Sequence, residues 1–169
     1  MKKSYITLAL AVLVSCFLAV SVTNAQGTKQ TNKITVVKEG VGFNGITVGR
    51  STSADVAKKF GKDYKLKTYK KYSSQMIYPN GLSFYYCYAD KRKEIFDIEI
   101  RAPFQAKTSK GITLGKSTIE DIYKIYGKTT DGLQYRGVNF YYVNSKSKKT
   151  VTVIDIVENS GIRQCKESK

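Results

Sequence analysis

The chain is expected to be an α+β protein: two tandem α-β-β-β repeats forming an antiparallel sheet of about six or seven strands, with two short helices on one face. Three observations lead there. Gly45 to Lys62 recurs as Gly111 to Lys128, with ten of eighteen positions identical. Within each copy a Thr-x-x-Asp spacing precedes apolar residues four apart, the pattern of a capped amphipathic helix. After each copy, residues alternate between apolar and polar as in half-buried strands.

The order of segments follows from these signals. Residues 1–25 read as a signal peptide: Lys2 and Lys3 lead an uncharged apolar run from Ile6 to Val22, and Thr23-Asn24-Ala25 precedes a cut. Leu13-Val14-Ser15-Cys16 also resembles a lipobox, so acylation of Cys16 is one alternative and a retained membrane anchor another. All three place the remainder outside the cytoplasm, periplasmic or secreted. Residues 26–33 are a polar leader, 34–104 the first repeat, 105–158 the second and 159–169 a C-terminal tail, the two repeats forming one compact domain. Ile34 to Val37 is β-branched and offers a further strand.

In the first repeat Thr52 is the N-cap with Asp55 as its partner, Val56 and Phe60 share the buried face, and Gly61 ends the helix. Thr118, Asp121, Ile122, Tyr126 and Gly127 repeat this arrangement. The acids are explained by capping and by the helix dipole rather than by catalysis. Pro79-Asn80-Gly81 is a turn. Beyond it Leu82, Phe84, Tyr86 and Tyr88 form one face of a strand, matched by Val138, Phe140 and Tyr142, and the phenylalanine side is expected to be core. Phe96-Asp97-Ile98 and Ile154-Asp155-Ile156 then put one acid of each repeat on the opposite face. Tyr85, Tyr141, Asp97, Asp155 and Tyr135 are expected on that open face.

The copies differ most between Lys62 and Tyr78, where the first is longer by about ten residues. Lys65, Lys67, Lys70 and Lys71 interleave there with Tyr64, Tyr69, Tyr72 and Tyr78. That pattern suits a contact with an anionic chain and equally an edge hairpin whose lysines discourage pairing.

Composition narrows the function. The chain carries 29 Lys and Arg against 13 Asp and Glu, a formal charge of +16, and loses only Lys2 and Lys3 with the signal peptide. Such an excess suits an anionic glycan, lipid head groups or an acidic protein face, with nucleic acid ranked last for an exported chain. It also suits a plain soluble surface. Without histidine, Ser-His-Asp and Cys-His catalysis and histidine-ligated zinc are excluded. Gly115-Lys116-Ser117 lacks the upstream glycine spacing of a phosphate-binding loop. Asp97 and Glu99 lie about 7 Å apart on one strand face, a spacing open to paired-carboxylate hydrolysis, but a cross-strand partnership with lysine explains such acids more simply. No catalytic residue, cofactor or metal site is expected. Cys87 and Cys165 form an even pair suited to a disulfide in an oxidising compartment, the alternative being two free thiols.

The repeated Gly-x-Ser-Thr-x-x-Asp-Val/Ile-x-x-x-Phe/Tyr-Gly-Lys pattern followed by a hairpin is similar to the tandem repeats of β-lactamase-inhibitory-protein-like domains. It also resembles the small SmpA/OmlA-type lipoproteins of the outer-membrane barrel-assembly machinery. The resemblance spans roughly residues 34–158 and implies short helices on an antiparallel sheet whose open, aromatic surface binds another protein. Tyr85 and Tyr141 stand at matching positions for this. The absence of tryptophan and the positive charge depart from that pattern, so the mode of binding is carried over and the target is not. The expectation is a monomeric, non-enzymatic, exported module that binds a protein through Tyr69, Tyr72, Tyr85, Tyr141, Lys67, Lys70 and Lys71. The alternative is a binder of anionic glycan or lipid head groups.

Overall fold

The computed structural model describes residues 34–69, 72–144, 149–161, 163 and 165. The signal peptide expected over residues 1–25, the leader over 26–33, Lys70, Lys71 and part of the tail lie outside the described residues. In chain order the elements are β1 (Thr35–Val37), β2 (Gly42–Phe43), β3 (Ile46–Thr47), α1 (Ser53–Phe60), β4 (Lys65–Tyr69), β5 (Ser73–Ile77), β6 (Leu82–Cys87) and β7 (Ile95–Arg101). They continue as β8 (Ala106–Thr108), α2 (Ile119–Tyr126), β9 (Gln134–Tyr135), β10 (Val138–Asn144) and β11 (Lys149–Val157).

Both helices begin with the same reciprocal cap. Thr52 donates its N–H to Asp55 at 2.8 Å while its hydroxyl accepts the Asp55 N–H at 3.3 Å. Thr118 and Asp121 do the same at 2.8 and 3.3 Å. The approach loops match too. Ser51 and Ser117 accept the N–H groups of Thr47 and Thr113 through their hydroxyls. Their carbonyls take the N–H groups of Ile95 and Val151. Capping thus accounts for Thr and Asp in the recurring motif, and loop closure for Ser. Each helix has 8 residues, too few to persist in water alone, so its stability comes from burying Val56 or Ile122 against the sheet.

The main sheet is antiparallel with seven strands in the order β4-β5-β6-β7-β11-β10-β9. One face, bearing Leu82, Phe84, Ile98, Ile100, Phe140, Ile154 and Ile156, joins Val56, Ile119 and Ile122 in a single core. Phe60 and Tyr126 pack at its margin, so the phenylalanine side is the buried one.

The strand pattern departs from expectation in three places. Ile34 to Val37 does not extend the main sheet: β1 pairs in parallel with β8 in a separate two-stranded ladder. Four strands follow α1 rather than three, because the Lys/Tyr segment is itself the β4–β5 hairpin at the sheet edge. Tyr135 lies on the helix side instead of the open face, its ring 5.0 Å from Tyr126 and 6.1 Å from Phe140, with its hydroxyl donating to the Gly127 carbonyl at 2.7 Å.

Cys87 and Cys165 form a disulfide 78 positions apart, tying the tail to the end of β6. Arg163 adds ion pairs to Glu158 at 2.7 Å and Glu94 at 3.4 Å. No helix among the described residues is long and apolar enough to cross a membrane. The turn before β6 depends on Gly81, whose φ of 90° suits glycine and whose Cβ, if present, would overlap the Arg101 carbonyl oxygen.

Two expectations follow for stability. Gly81→Ala should cost about 1–3 kcal/mol in urea denaturation through strain at that contact, and a parent-like midpoint would refute the role given to the turn. Cys165→Ser should cost about 2–5 kcal/mol by releasing a long closed loop, and an unchanged midpoint would show that the bond adds no stability.

Candidate functional site

Strand register alone fixes what lies on the face opposite the helices. One transverse row crosses all seven strands as Lys65, Ile77, Ser83, Glu99, Asp155, Asn139 and Gln134. A second row on one side runs Lys67, Gln75, Tyr85, Asp97 and Val157, and a third on the other side runs Arg101, Val153 and Tyr141. Successive rows are about 7 Å apart, two residues along a strand. Tyr85 and Tyr141 therefore flank the acidic middle of the sheet from opposite sides, three strands apart.

Both tyrosines sit next to a break in register. The β6–β7 ladder shifts between Tyr85 and Tyr86, and the β10–β11 ladder shifts between Tyr141 and Tyr142. Bulges bend a sheet locally and re-aim the side chains beside them. Phe96, the extra residue of the first bulge, is buried with its ring 6.4 Å from Tyr85. Tyr141 is 49% exposed and Tyr85 half-buried, so the two rings rise from an otherwise covered floor.

That floor is polar and closed. Asp155 is only 4% exposed, and Gln75, Ser83 and Asn139 are buried with it. Glu99 is held by Arg101 through two hydrogen bonds of 2.8 and 3.1 Å, and Tyr85 donates at 3.5 Å to the Oε2 that Arg101 Nη2 also reaches. Asn139 donates to Asp155 at 3.4 Å. Asp97 and Asp155, diagonal neighbours on β7 and β11, each have one carboxyl oxygen with no other partner among the described residues.

A shared proton accounts for both oxygens. Burial pushes both carboxyl groups upward and each raises the need of the other for a proton, so the pair retains a proton that exposed aspartates would release. The pair then carries one negative charge instead of two. Burial raises the Tyr85 phenol strongly, with Glu99 and Asp97 adding to it, so the ring stays a neutral donor. Tyr141 is raised by burial first and then by the charge of Asp155. Asp97 and Asp155 lie on the face opposite the helices but do not stand out into solvent: Asp155 is buried and accepts from Asn139, and Asp97 is half-buried beside it, so the cross-strand lysine expected for Asp97 is replaced by a second carboxyl group.

The remaining candidates occupy the β4–β5 end. Tyr69 donates to the Gln75 side-chain carbonyl at 2.6 Å, and the Lys67 ammonium lies 4.7 Å from its ring centre. Tyr72 stands exposed beyond the β4 terminus, its N–H on the Tyr69 carbonyl. Lys67 and Tyr69 on β4 share one face with Tyr85 on β6, with β5 between them, Tyr141 stands apart beyond the acids, and Lys70 and Lys71 lie outside the described residues. Sequence reasoning missed Arg101, Gln75 and Asn139. The signal was present in the paired Phe-Asp-Ile and Ile-Asp-Ile segments, which place two acids together once β7 and β11 are neighbours.

The arrangement offers hydrogen-bond acceptors under two aromatic rings. Among the described residues no group of three or more His, Cys, Asp and Glu side chains is placed to hold a metal ion. Comparison with protein-family models, curated proteins and solved structures gives no match to this chain.

The shared proton sets a pH dependence. Asp97 is pushed from the ordinary 3.8 up to about 10, so the folded chain retains a proton that the unfolded chain releases. Its contribution is complete below the ordinary carboxylate range and declines as pH rises towards about 10, by at most roughly 1.4 kcal/mol per pH unit. Urea denaturation should show lower stability at about pH 8 than at about pH 5, and Asp97→Asn should flatten that difference. An equal slope in the variant would refute the shared proton.

Proposed function

We propose that this is an exported, non-enzymatic binding module that recognises another envelope or extracellular protein through the sheet face opposite the helices. The observation that carries the reading is the placement of Tyr85 and Tyr141, each beside a bulge, on either side of a closed polar floor. Tyrosine buries large area at small entropic cost and keeps a polar tip, which suits the centre of a protein interface. The buried floor below gives the rings fixed neighbours rather than mobile ones. Tyr69 and Lys67 extend the surface towards the sheet edge.

The same reading treats the domain as two tandem repeats, 34–104 and 105–158, the first enlarged by the β4–β5 hairpin. Matching caps, approach loops and bulges support it. It is in keeping with the resemblance to β-lactamase-inhibitory-protein-like and SmpA/OmlA-type domains, with the partner left open by the departures noted above. Export rests on residues 1–25, with an acylated Cys16 as the alternative, and the module acts as a monomer.

Binding of anionic glycan or lipid head groups is the second reading. One observation favours it: the ion pairs among the described residues are made by Arg92, Arg101 and Arg163, while Lys65 and Lys67 stand exposed.

Capture from envelope extract should separate the two. The Tyr85→Ala/Tyr141→Ala protein is expected to lose the captured partner, with affinity down by at least about tenfold and only a modest response to added salt. Retention by this variant, together with release across moderate salt, would overturn the sheet-face reading in favour of the polyanion one.

A further inference from the structure

The outer edge of β4 is a second surface, built from backbone instead of aromatic rings. Among the described residues the sheet ends at β4, which is paired on one side, with β5. The Tyr69 carbonyl accepts the Tyr72 N–H at 2.7 Å and so points towards the β5 side. Backbone groups alternate in direction along an antiparallel strand, so Lys65 and Lys67 also turn to β5 while Leu66 and Thr68 present N–H and C=O outward. Among the described residues neither Leu66 nor Thr68 has a backbone partner outside the β4–β5 ladder.

Charge decides what suits this edge. Lys65 and Lys67 stand exposed two residues apart on one face, and Lys58, Lys59 and Lys62 precede them, all exposed, against Asp63 alone. A second copy pairing antiparallel along β4 would set lysines opposite lysines, which is unfavourable. An acidic strand would instead place carboxylates beside both ammonium groups. Leu66, 57% exposed, offers the other face an apolar contact. At the start of the strand a cleft of about 310 Å³, lined by Tyr64, Lys65, Ile77, Tyr78, Pro79 and Asp63, can receive one side chain.

We propose that β4 is a strand-addition site for an extended acidic segment of another protein, which pairs its backbone with Leu66 and Thr68 and sets Asp or Glu beside Lys65 and Lys67. Main-chain bonds supply the affinity in this mode, while charge and the cleft select the sequence. The site adjoins the aromatic face and shares Lys67 with it, but the Leu66 and Thr68 backbone groups and Lys65 are its own, so loss of Tyr85 and Tyr141 tests the two readings separately.

The test uses the chain as the cell processes it and a synthetic peptide alternating glutamate with valine, with a lysine–valine peptide as control. The acidic peptide should bind and slow hydrogen exchange at the Leu66 and Thr68 amides. Lys65→Glu/Lys67→Glu should weaken it by at least about tenfold and admit the lysine peptide. Thr68→Pro keeps every charge, is tolerated at an edge, and should also weaken binding by about tenfold. A melting curve confirms that this variant is folded; if it is not, exchange in the parent and the charge-reversed pair decide. Binding without slowed exchange at those two amides, or undiminished in folded Thr68→Pro, would show charge attraction without strand pairing and overturn the proposal. Absence of binding would overturn it as well. Tyr85→Ala/Tyr141→Ala should leave the peptide affinity unchanged, and a loss there would place the peptide on the aromatic face instead.

Discussion

The structure depends on the seam between β7 and β11. There Ile98 faces Ile156 and Ile100 faces Ile154, all four without solvent exposure. β7 lies mid-chain and β11 near the end of the domain sequence, and their pairing turns two small hairpin sheets into one. Each half by itself offers an eight-residue helix over three or four strands, a small core with open margins. Joined, the two halves let Val56 and Ile122 bury completely, each in a helix packed over its own half. The hydrophobic contribution is set at the seam, and the caps and turns stabilise local pieces that it holds in place.

The same seam imposes a cost on the other face. Bringing β7 beside β11 in this register puts Asp97, Glu99 and Asp155 next to one another, and three carboxylates at that distance repel. Two effects ease the conflict: Arg101 clamps Glu99, and burial side by side raises both aspartates so that the pair holds a proton. Most of the lysine excess lies elsewhere and does not reach this floor. The centre of the face is consequently close to neutral in a strongly basic protein. A surface of that kind suits contact through shape and hydrogen bonds more than through long-range attraction.

Much of the fold was legible because its signals are local. Thr52, Asp55, Gly61 and their counterparts act within a few residues of themselves, and Pro79-Asn80-Gly81 defines its turn without help from elsewhere. The alternation around Phe84 and Phe140 identified the core side because burial on one face leaves a period of two in the sequence. What stayed hidden is non-local. The parallel pairing of β1 with β8 joins segments about seventy residues apart with no pattern specific to a parallel partner. Tyr135 was misplaced since a two-residue strand carries too little alternation to show its face. The acid pair required knowing that β7 and β11 touch, and the bulges at Tyr85 and Tyr141 leave no mark in composition. Of the site, the tyrosines were readable and the polar floor was not.

The disulfide bears on how the finished molecule opens. Cys165 follows β11 in the chain. Cys87 closes β6, so the bond makes a loop that contains β7, β8, α2, β9, β10 and β11. The segment before Cys87, with α1 and the β4–β5 hairpin, lies outside that loop and is joined to it by chain continuity and noncovalent contacts. The two parts therefore differ in how far they can open: in the oxidised molecule the loop can loosen but not extend, whereas the segment before it can peel away completely.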